Sequence, residues 1–277
     1  MHTYKPVVDV LLTVYNRVDY LDTCIKSVLE QRRGEFLLTV LDDGNCEHIA
    51  RIIARYTSPL VRHHLNPERM GVAASIFAAI KRTPCDYFSI INDDDYWHSN
   101  FLAELLPPLE QDPTIAISFC DHWLVDAKSR ILVKETDVNT CKYGRAQLTG
   151  GVVPDLTSLV IKKNGIPMAM GSVVRKSAIS EQLLLPQVHS AYDYWLSLIV
   201  SQHANKAYYS PRRLSYYRVH ATMETASKSA RRGDSIASVY AAALIHGVHR
   251  KHSLFFINRL FKSIGASIKD RLTATLR

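Results

Sequence analysis

Short, nearly continuous apolar runs alternate with segments of helical period through the first hundred residues. Residues 7–14, VVDVLLTV, are β-branched and apolar almost throughout and stop at Tyr15-Asn16-Arg17, which predicts a strand buried on both faces. Asp19 is placed to cap a helix whose Leu21, Ile25, Val28 and Leu29 fall on one face. The unit then repeats. A second run, Phe36 to Leu41, ends in Asp42-Asp43-Gly44-Asn45 and leads into a helix through Ile49, Ile52 and Ile53. A third strand over residues 61–65 is followed by Asn66, Gly71 and a small-residue helix over 72–80. A fourth, Tyr87 to Ile91, runs into Asn92-Asp93-Asp94-Asp95. Strands and helices alternating at this length predict an α/β domain with a mostly parallel sheet flanked by helices, and in such sheets ligands sit beyond the carboxyl ends of the strands. Those ends carry Asn16, Asp42, Asp43 and Asp93 to Asp95.

The regularity loosens after about residue 115. A strand is expected over 115–119, a loop-rich stretch over 126–165 with Gly144, Gly150, Gly151 and Pro154, and helices over 177–184, 192–200 and from Ser235 to the end. No internal repeat or low-complexity tract interrupts the chain.

Composition narrows the class. At 277 residues, with 47% hydrophobic and 22% charged, the chain suits one large domain or a domain with an appended subdomain, and is unlike a disordered chain. A formal charge of +8 favours an anionic partner without naming one. The five cysteines, Cys24, Cys46, Cys85, Cys120 and Cys141, are odd in number and scattered, which points to a reducing compartment rather than to a zinc ribbon. Neither a signal peptide nor an apolar stretch of membrane-spanning length is visible, so a cytoplasmic protein is expected.

Three adjacent carboxylates after a strand repel one another and call for a cation; hard oxygen ligands suit Mg²⁺ or Mn²⁺. Taken alone, Asp93-Asp94-Asp95 reads more readily as a solvated turn capping the next helix. Four motifs in order change that. LLTVYNR at Leu11 to Arg17, LDDGN at Leu41 to Asn45, Asn66 with GVAA at Gly71 to Ala74, and IINDDDYW at Ile90 to Trp97 together resemble the GT-A domain of inverting family 2 glycosyltransferases. The resemblance covers about residues 7–100 and implies a GT-A fold with a C-terminal helical extension. It implies that Thr13, Tyr15, Asn16 and Arg17 line a nucleotide pocket, that Asp43 or its neighbour Asp42 bonds the base, and that Asn66 and Gly71 complete the donor pocket. Asp93 would face ribose or sugar, and Asp94 with Asp95 would hold a Mn²⁺ or Mg²⁺ ion bridging the diphosphate. Two departures stand out: Asn92 where many members carry Asp, and Ser75 or Phe77 where many carry Asn.

The second half carries weaker likenesses. AYDYWLSL at Ala191 to Leu198 resembles the helix bearing the family's catalytic base, which makes Asp193 the candidate, ahead of the alternative of a first-turn carboxylate serving the helix dipole. SYYRVHATMETAS at Ser215 to Ser227 resembles the closing segment of the catalytic domain, which implies that His220 completes the metal shell or contacts the diphosphate and that Arg218 offsets the diphosphate charge. Gly171 to Arg175 resembles an acceptor-facing loop, and the likeness of DDDYW and DYWL to a rhamnosyl-transferring subgroup implies a rhamnosyl donor.

The resemblance thus divides the chain into a nucleotide-sugar-binding half (1–115), an acceptor-side half (116–230) and a basic amphipathic extension (231–277). The partners it implies are a nucleoside-diphosphate sugar and a saccharide or lipid-linked acceptor. The extension mixes Leu254, Phe255, Ile257, Leu260, Phe261 and Ile264 with Arg250, Lys251, Arg259, Lys262, Lys269 and Arg271, which suits an anionic membrane at the inner face as well as a packing helix. A homo-oligomer stays open. His246, His249 and His252, without a carboxylate or cysteine beside them, read as solvated helix histidines. Rival readings are a nucleotidyltransferase, lacking its Gly-rich Lys-containing loop, a glycosidase, and a noncatalytic nucleotide-sugar binder. No basic helix-turn-helix or RNP-like strand supports nucleic acid.

Overall fold

A computed structural model describes residues 6–44, 46–202, 205–220 and 230–275. The expected βα alternation is present: β1 (Val8–Val14), α1 (Leu21–Leu29), β2 (Phe36–Asp42), α2 (Glu47–Ile53), β3 (Val61–Leu65), α3 (Val72–Arg82) and β4 (Tyr87–Asn92). These four strands pair in parallel in the order β3-β2-β1-β4. The apolar runs of β1, β2 and β4 are nearly continuous because both faces are covered, and Val8, Val10, Leu11 and Leu12 of β1 are all fully buried; β3 is the partly exposed edge.

The sheet continues through segments the sequence pattern left irregular. After β5 (Tyr96–Trp97), α4 (Phe101–Gln111) leads into β6 (Ile115–Val125), α5 (Val133–Lys142), β7 (Gly151–Val152) and the single turn α6 (Leu156–Ser158). β8 (Ser172–Arg175), α7 (Tyr192–Val200), β9 (Lys206–Arg218), α8 (Ala230–Ile245) and α9 (Ser253–Thr275) follow. Beyond β4 the sheet order is β8-β6-β9-β5, with β7 on β9; β8 runs antiparallel to β4 and β6, and β9 runs parallel to β6. Helices α1, α2 and α4 pack one face around Ile25, Ile49 and Leu105, while α3 and α7 and the inner residues Val239 and Phe256 of α8 and α9 pack the other. The fold is a mostly parallel open α/β sheet between two helical layers.

Several expectations are corrected here. Residues 126–165 are not mainly loop, since α5 and a π-helical turn over Leu159–Lys163 lie within them. The helix expected over 177–184 is two short 3-10 turns, and Ser172–Arg175 is a central strand rather than an acceptor loop. Asp19 does not cap α1; Tyr20 occupies the N-cap position without a side-chain hydrogen bond. The C-terminal helix is broken between α8 and α9, where Gly247 and His249 take φ of +65° and +51°. His249 is accordingly not a solvated helix residue: its Nε2 lies 2.9 Å from Ser201 Oγ and 3.0 Å from Leu198 O, tying that turn to the end of α7.

Candidate functional site

In the order β3-β2-β1-β4 the chain reverses its direction of growth at β1, so a crevice opens beyond the carboxyl ends of β1 and β4. The polar motif residues meet there. Thr13 Oγ1 at the end of β1 donates to Asn92 Oδ1 at the end of β4 across 3.2 Å. The next turn is tight: Asn16 takes a φ of +54°, and a Cβ on Gly44 would sit 2.5 Å from Asn16 Oδ1, so glycine is what lets the two loops touch. Tyr15 remains 43% exposed at the rim, with the Arg69 guanidinium 4.2 Å from its ring centre.

The two carboxylates that end β2 part company, as neighbours on a strand do. Asp42 turns inward, 1% exposed, accepting from Gly44 N at 3.0 Å and meeting His63 Nε2 at 3.0 Å. Its expected base contact is corrected on that ground. Asp43 faces the loop before α3 and accepts from Asn66 Nδ2, Met70 N and Gly71 N at 2.9, 2.7 and 2.8 Å. Gly71, at φ +81° and ψ +154°, holds a conformation only glycine adopts readily and delivers that amide. Asn66 also donates to Ser75 Oγ, while its buried Oδ1 has no partner among the described residues. A buried amide oxygen left unpaired in this way calls for an explanation.

Arg17 closes the front of the acidic turn. Its Nη1 donates to Asp93 Oδ1 at 2.9 Å and also to Asp94 Oδ2. His220 Nε2 approaches the same Asp94 oxygen at 3.0 Å. Asp95 points the other way, accepting from the backbone N–H of Arg218 at 2.9 Å and lying fully buried. Burial pushes the Asp93 carboxyl up to about 7, overriding the opposing pull of Arg17, and the charge of Asp94 adds to the rise. Burial and Asp94 push Asp95 well above the carboxylate range as well.

Arg218 supports this turn from behind. It is 2% exposed; its Nε donates to Asp94 O at 2.8 Å and its Nη1 to Asp126 O at 3.1 Å and Ser129 Oγ at 2.9 Å. Its guanidinium lies 4.2 Å from the Tyr20 ring centre and 5.4 Å from that of Tyr96. So placed, it orders the loop and stands behind the backbone rather than in the crevice. Tyr20, Tyr96 and Ser129 carry no signal as site residues in the sequence, because their roles come from contact with Arg218, 89 or more positions away.

The expected metal set of Asp94, Asp95 and His220 is only partly assembled. Among the described residues no three His, Cys, Asp or Glu side chains form a ready cation cage, and Asp95 is turned away into the Arg218 amide. Asp94 Oδ2 and His220 Nε2, however, stand 3.0 Å apart, about the separation of adjacent ligands on a divalent ion with ~2.1 Å bonds. That pair fits an ion completed by substrate oxygens and water.

Asp193 lies in the first turn of α7, its Oδ1 accepting from Tyr194 N at 2.7 Å. The preceding residue ties it to the crevice: Tyr192 OH donates to Asn92 Oδ1 at 3.3 Å. Asn92 thereby joins β1, β4 and α7, a junction the sequence showed only as a departure from Asp. A separate cavity of about 510 Å³ between residues 83–87 and 175–181 lies at the opposite, amino end of β4. There Lys176 already caps the carbonyls of Lys81 and Thr83, so its charge is used by the fold.

Comparison with known proteins agrees with this geometry. The sequence pattern of the family described as glycosyl transferase family 2 matches residues 9–158. An uncharacterised glycosyltransferase of Rickettsia typhi is 26% identical over 227 residues, covering 81% of this chain and 67% of the relative. Residues 1–349 of S. aureus TarS, solved with UDP-GlcNAc, superpose with a TM-score of 0.69 at 15% identity, over 92% of this chain and 73% of that one. A mannosyltransferase from Pyrobaculum calidifontis, PcManGT, solved with GDP-Man and Mn²⁺, gives 0.62 at 15% identity, over 95% and 74%.

Proposed function

The chain belongs to glycosyl transferase family 2, and from that premise we propose that it moves a sugar from a nucleoside diphosphate to an acceptor hydroxyl with inversion, in glycan assembly. The observation that carries the reading is the meeting of Arg17, Asp93, Asp94 and His220 at the carboxyl-edge crevice. Thr13, Tyr15, Asn16, Asp43, Asn66 and Gly71 border the same crevice and form the donor pocket. Asn66 Oδ1 accepts from a base N–H, and Asp43 fixes the loop that presents it. The exposed Tyr15 ring offers a stacking face.

Asp94 and His220 would hold a divalent cation, Mn²⁺ or Mg²⁺, which when bound offsets the charge of the departing diphosphate. Arg17, which neutralises Asp93 and Asp94 in its absence, then has a guanidinium to offer to a phosphate oxygen. Asp193 takes the proton of the acceptor hydroxyl as that oxygen bonds to the anomeric carbon and the carbon–diphosphate bond breaks on the opposite side. One displacement inverts the configuration. Residues 1–115 carry the donor side, 116–230 the acceptor side, with a saccharide or lipid-linked acceptor, and 231–277 the extension.

A thermal-shift panel of UDP, GDP, dTDP and CMP with and without Mn²⁺ tests the reading. At about 100 times its dissociation constant one nucleotide is expected to stabilise the fold by about 2.7 kcal/mol. The gain should require metal and vanish in Asp94→Ala. Stabilisation by none of the four, or an Asp94→Ala protein that responds like the wild type, sinks the proposal; a response to dTDP alone supports the rhamnosyl-type donor.

Metal binding should also depend on pH. With Asp93 raised from 3.8 to about 7, the metal-free fold takes up a proton on folding, so ionising that carboxyl costs stability as pH rises through this window. A cation that needs the carboxylates ionised must displace that proton. Mn²⁺ is therefore expected to stabilise the protein more at pH 8 than at pH 6, and Asp93→Asn should flatten the difference. Equal Mn²⁺ responses at both values in the wild type would contradict this.

A further inference from the structure

Among the described residues, one face of the hairpin of α8 and α9 is fastened to the catalytic domain. Val239, Ala243 and Phe256 are buried in the core, and Tyr240 packs beside Phe256 with ring centres 6.2 Å apart. The other face of α9 carries Leu254, Ile257, Phe261 and Ile264, residues that share one side of an α-helix. Leu254 and Phe261 are 83% and 71% exposed, and Ile245 at the end of α8 is 76% exposed. These are the three most exposed large hydrophobic residues among those described. Single exposed leucines are ordinary, but a continuous stripe is not.

The charge beside the stripe has one sign. Lys262 borders it on α9, and Arg250 and Lys251 stand exposed in the turn that joins the two helices. Arg259 is drawn over the Phe255 ring at 5.2 Å. Between Asp234 and Asp270 the sequence holds no acidic residue. A second copy laid on this face would bring the same positive charge against itself, whereas an anionic surface would supply the opposite one. No helix among the described residues is long and apolar enough to cross a membrane.

We infer that this face docks on an anionic phospholipid bilayer, with Leu254, Ile257, Phe261 and Ile264 entering the boundary between headgroups and acyl chains and Arg250, Lys251 and Lys262 meeting lipid phosphates. The role goes beyond sugar transfer and does not depend on which donor the crevice takes. It would keep the catalytic domain at a lipid surface, where a lipid-linked acceptor is concentrated.

Co-sedimentation of the full chain with phosphatidylcholine vesicles, with and without phosphatidylglycerol, tests it. Binding is expected to be at least about tenfold stronger to the anionic vesicles and to weaken with added salt. The pair Leu254→Ser/Phe261→Ser and the pair Lys251→Glu/Lys262→Glu should each lose most of that binding. Both alter exposed side chains, so their melting temperatures and their response to nucleotide should match the wild type, which separates this test from that of the donor site. Equal binding to neutral vesicles, or unchanged binding by both paired variants, overturns the inference. So does a lipid-free dimer that Leu254→Ser/Phe261→Ser converts to monomer, because a second copy would then be what covers the stripe.

Discussion

Replacing Asp193 by Asn is expected to lower kcat by ~10²- to 10⁴-fold, the usual worth of a positioned general base. The nucleotide-dependent thermal shift should stay within about twofold of the wild type in midpoint concentration. The two readouts separate the roles that a first-turn carboxylate can play. A residue that served only the helix dipole would contribute about 0.3–1 kcal/mol to stability and leave turnover nearly intact, since α7 is otherwise held by Tyr192, Trp195 and Leu196 in the core. A base leaves stability nearly intact and removes turnover. The Asn side chain can still accept the 2.7 Å hydrogen bond from Tyr194 N, so the helix start is preserved. Turnover within threefold or so of wild type would remove Asp193 from the mechanism and turn attention to the inactive-relative reading. Steady-state transfer assays with the nucleotide sugar identified by the thermal panel decide it.

What the sequence made legible follows from how each element is stabilised. Strands β1, β2 and β4 are covered on both faces, so their apolar runs are nearly continuous and end where the polar loops begin, whereas the edge strand β3 is partly exposed along its length. Later elements hide because their stability comes from elsewhere. α4 contains Pro107 and Pro108, which argue against a helix, yet Phe101, Leu102, Leu105, Leu106 and Leu109 are all fully buried and override them. α5 shows no apolar stripe because the residues it buries are Thr136 and Thr140, the second donating to Asp121. β6 runs on past Phe119 through Asp121, a charge tolerated inside a strand because Arg145 and Arg213 meet its carboxylate at 2.9 and 3.1 Å. β9 includes Pro211 and pairs with β6 through an irregular register near Asp121, so its pattern reads as loop.

The candidate site divides in the same way. Motif residues at strand ends were visible because each sits where a polar side chain abruptly follows an apolar run. Which of two neighbours faces the crevice was not visible: Asp42 against Asp43, and Asp94 against Asp95, are settled by strand alternation and by the Arg218 amide. Long-range partners carry no local signal. The junction of Thr13, Asn92 and Tyr192 joins positions up to 179 apart, a difference of 192 and 13, and nothing in any one segment announces it.

The largest stability loss is expected at Arg218. Its guanidinium is taken out of water, stacked near Tyr20 and Tyr96, and spent on the carbonyls of Asp94 and Asp126 and the Ser129 hydroxyl. Removing a charged donor that satisfies buried carbonyl and hydroxyl acceptors costs about 1–3 kcal/mol per acceptor left unpaired, so a loss of about 3–5 kcal/mol is expected. Here the Asp94 and Asp126 carbonyls and the Ser129 hydroxyl all lose that donor. Arg218→Met keeps the length and apolar contact of the side chain while deleting its donors and charge. It should destabilise by that amount in urea titration and abolish metal-dependent nucleotide binding at temperatures where the variant is still folded. Arg218→Lys keeps the charge but not the planar fork that reaches Asp94 O and Ser129 together, so it should recover only part of the loss. A variant with an unchanged urea midpoint would mean that the turn is ordered by Arg17 and the backbone alone.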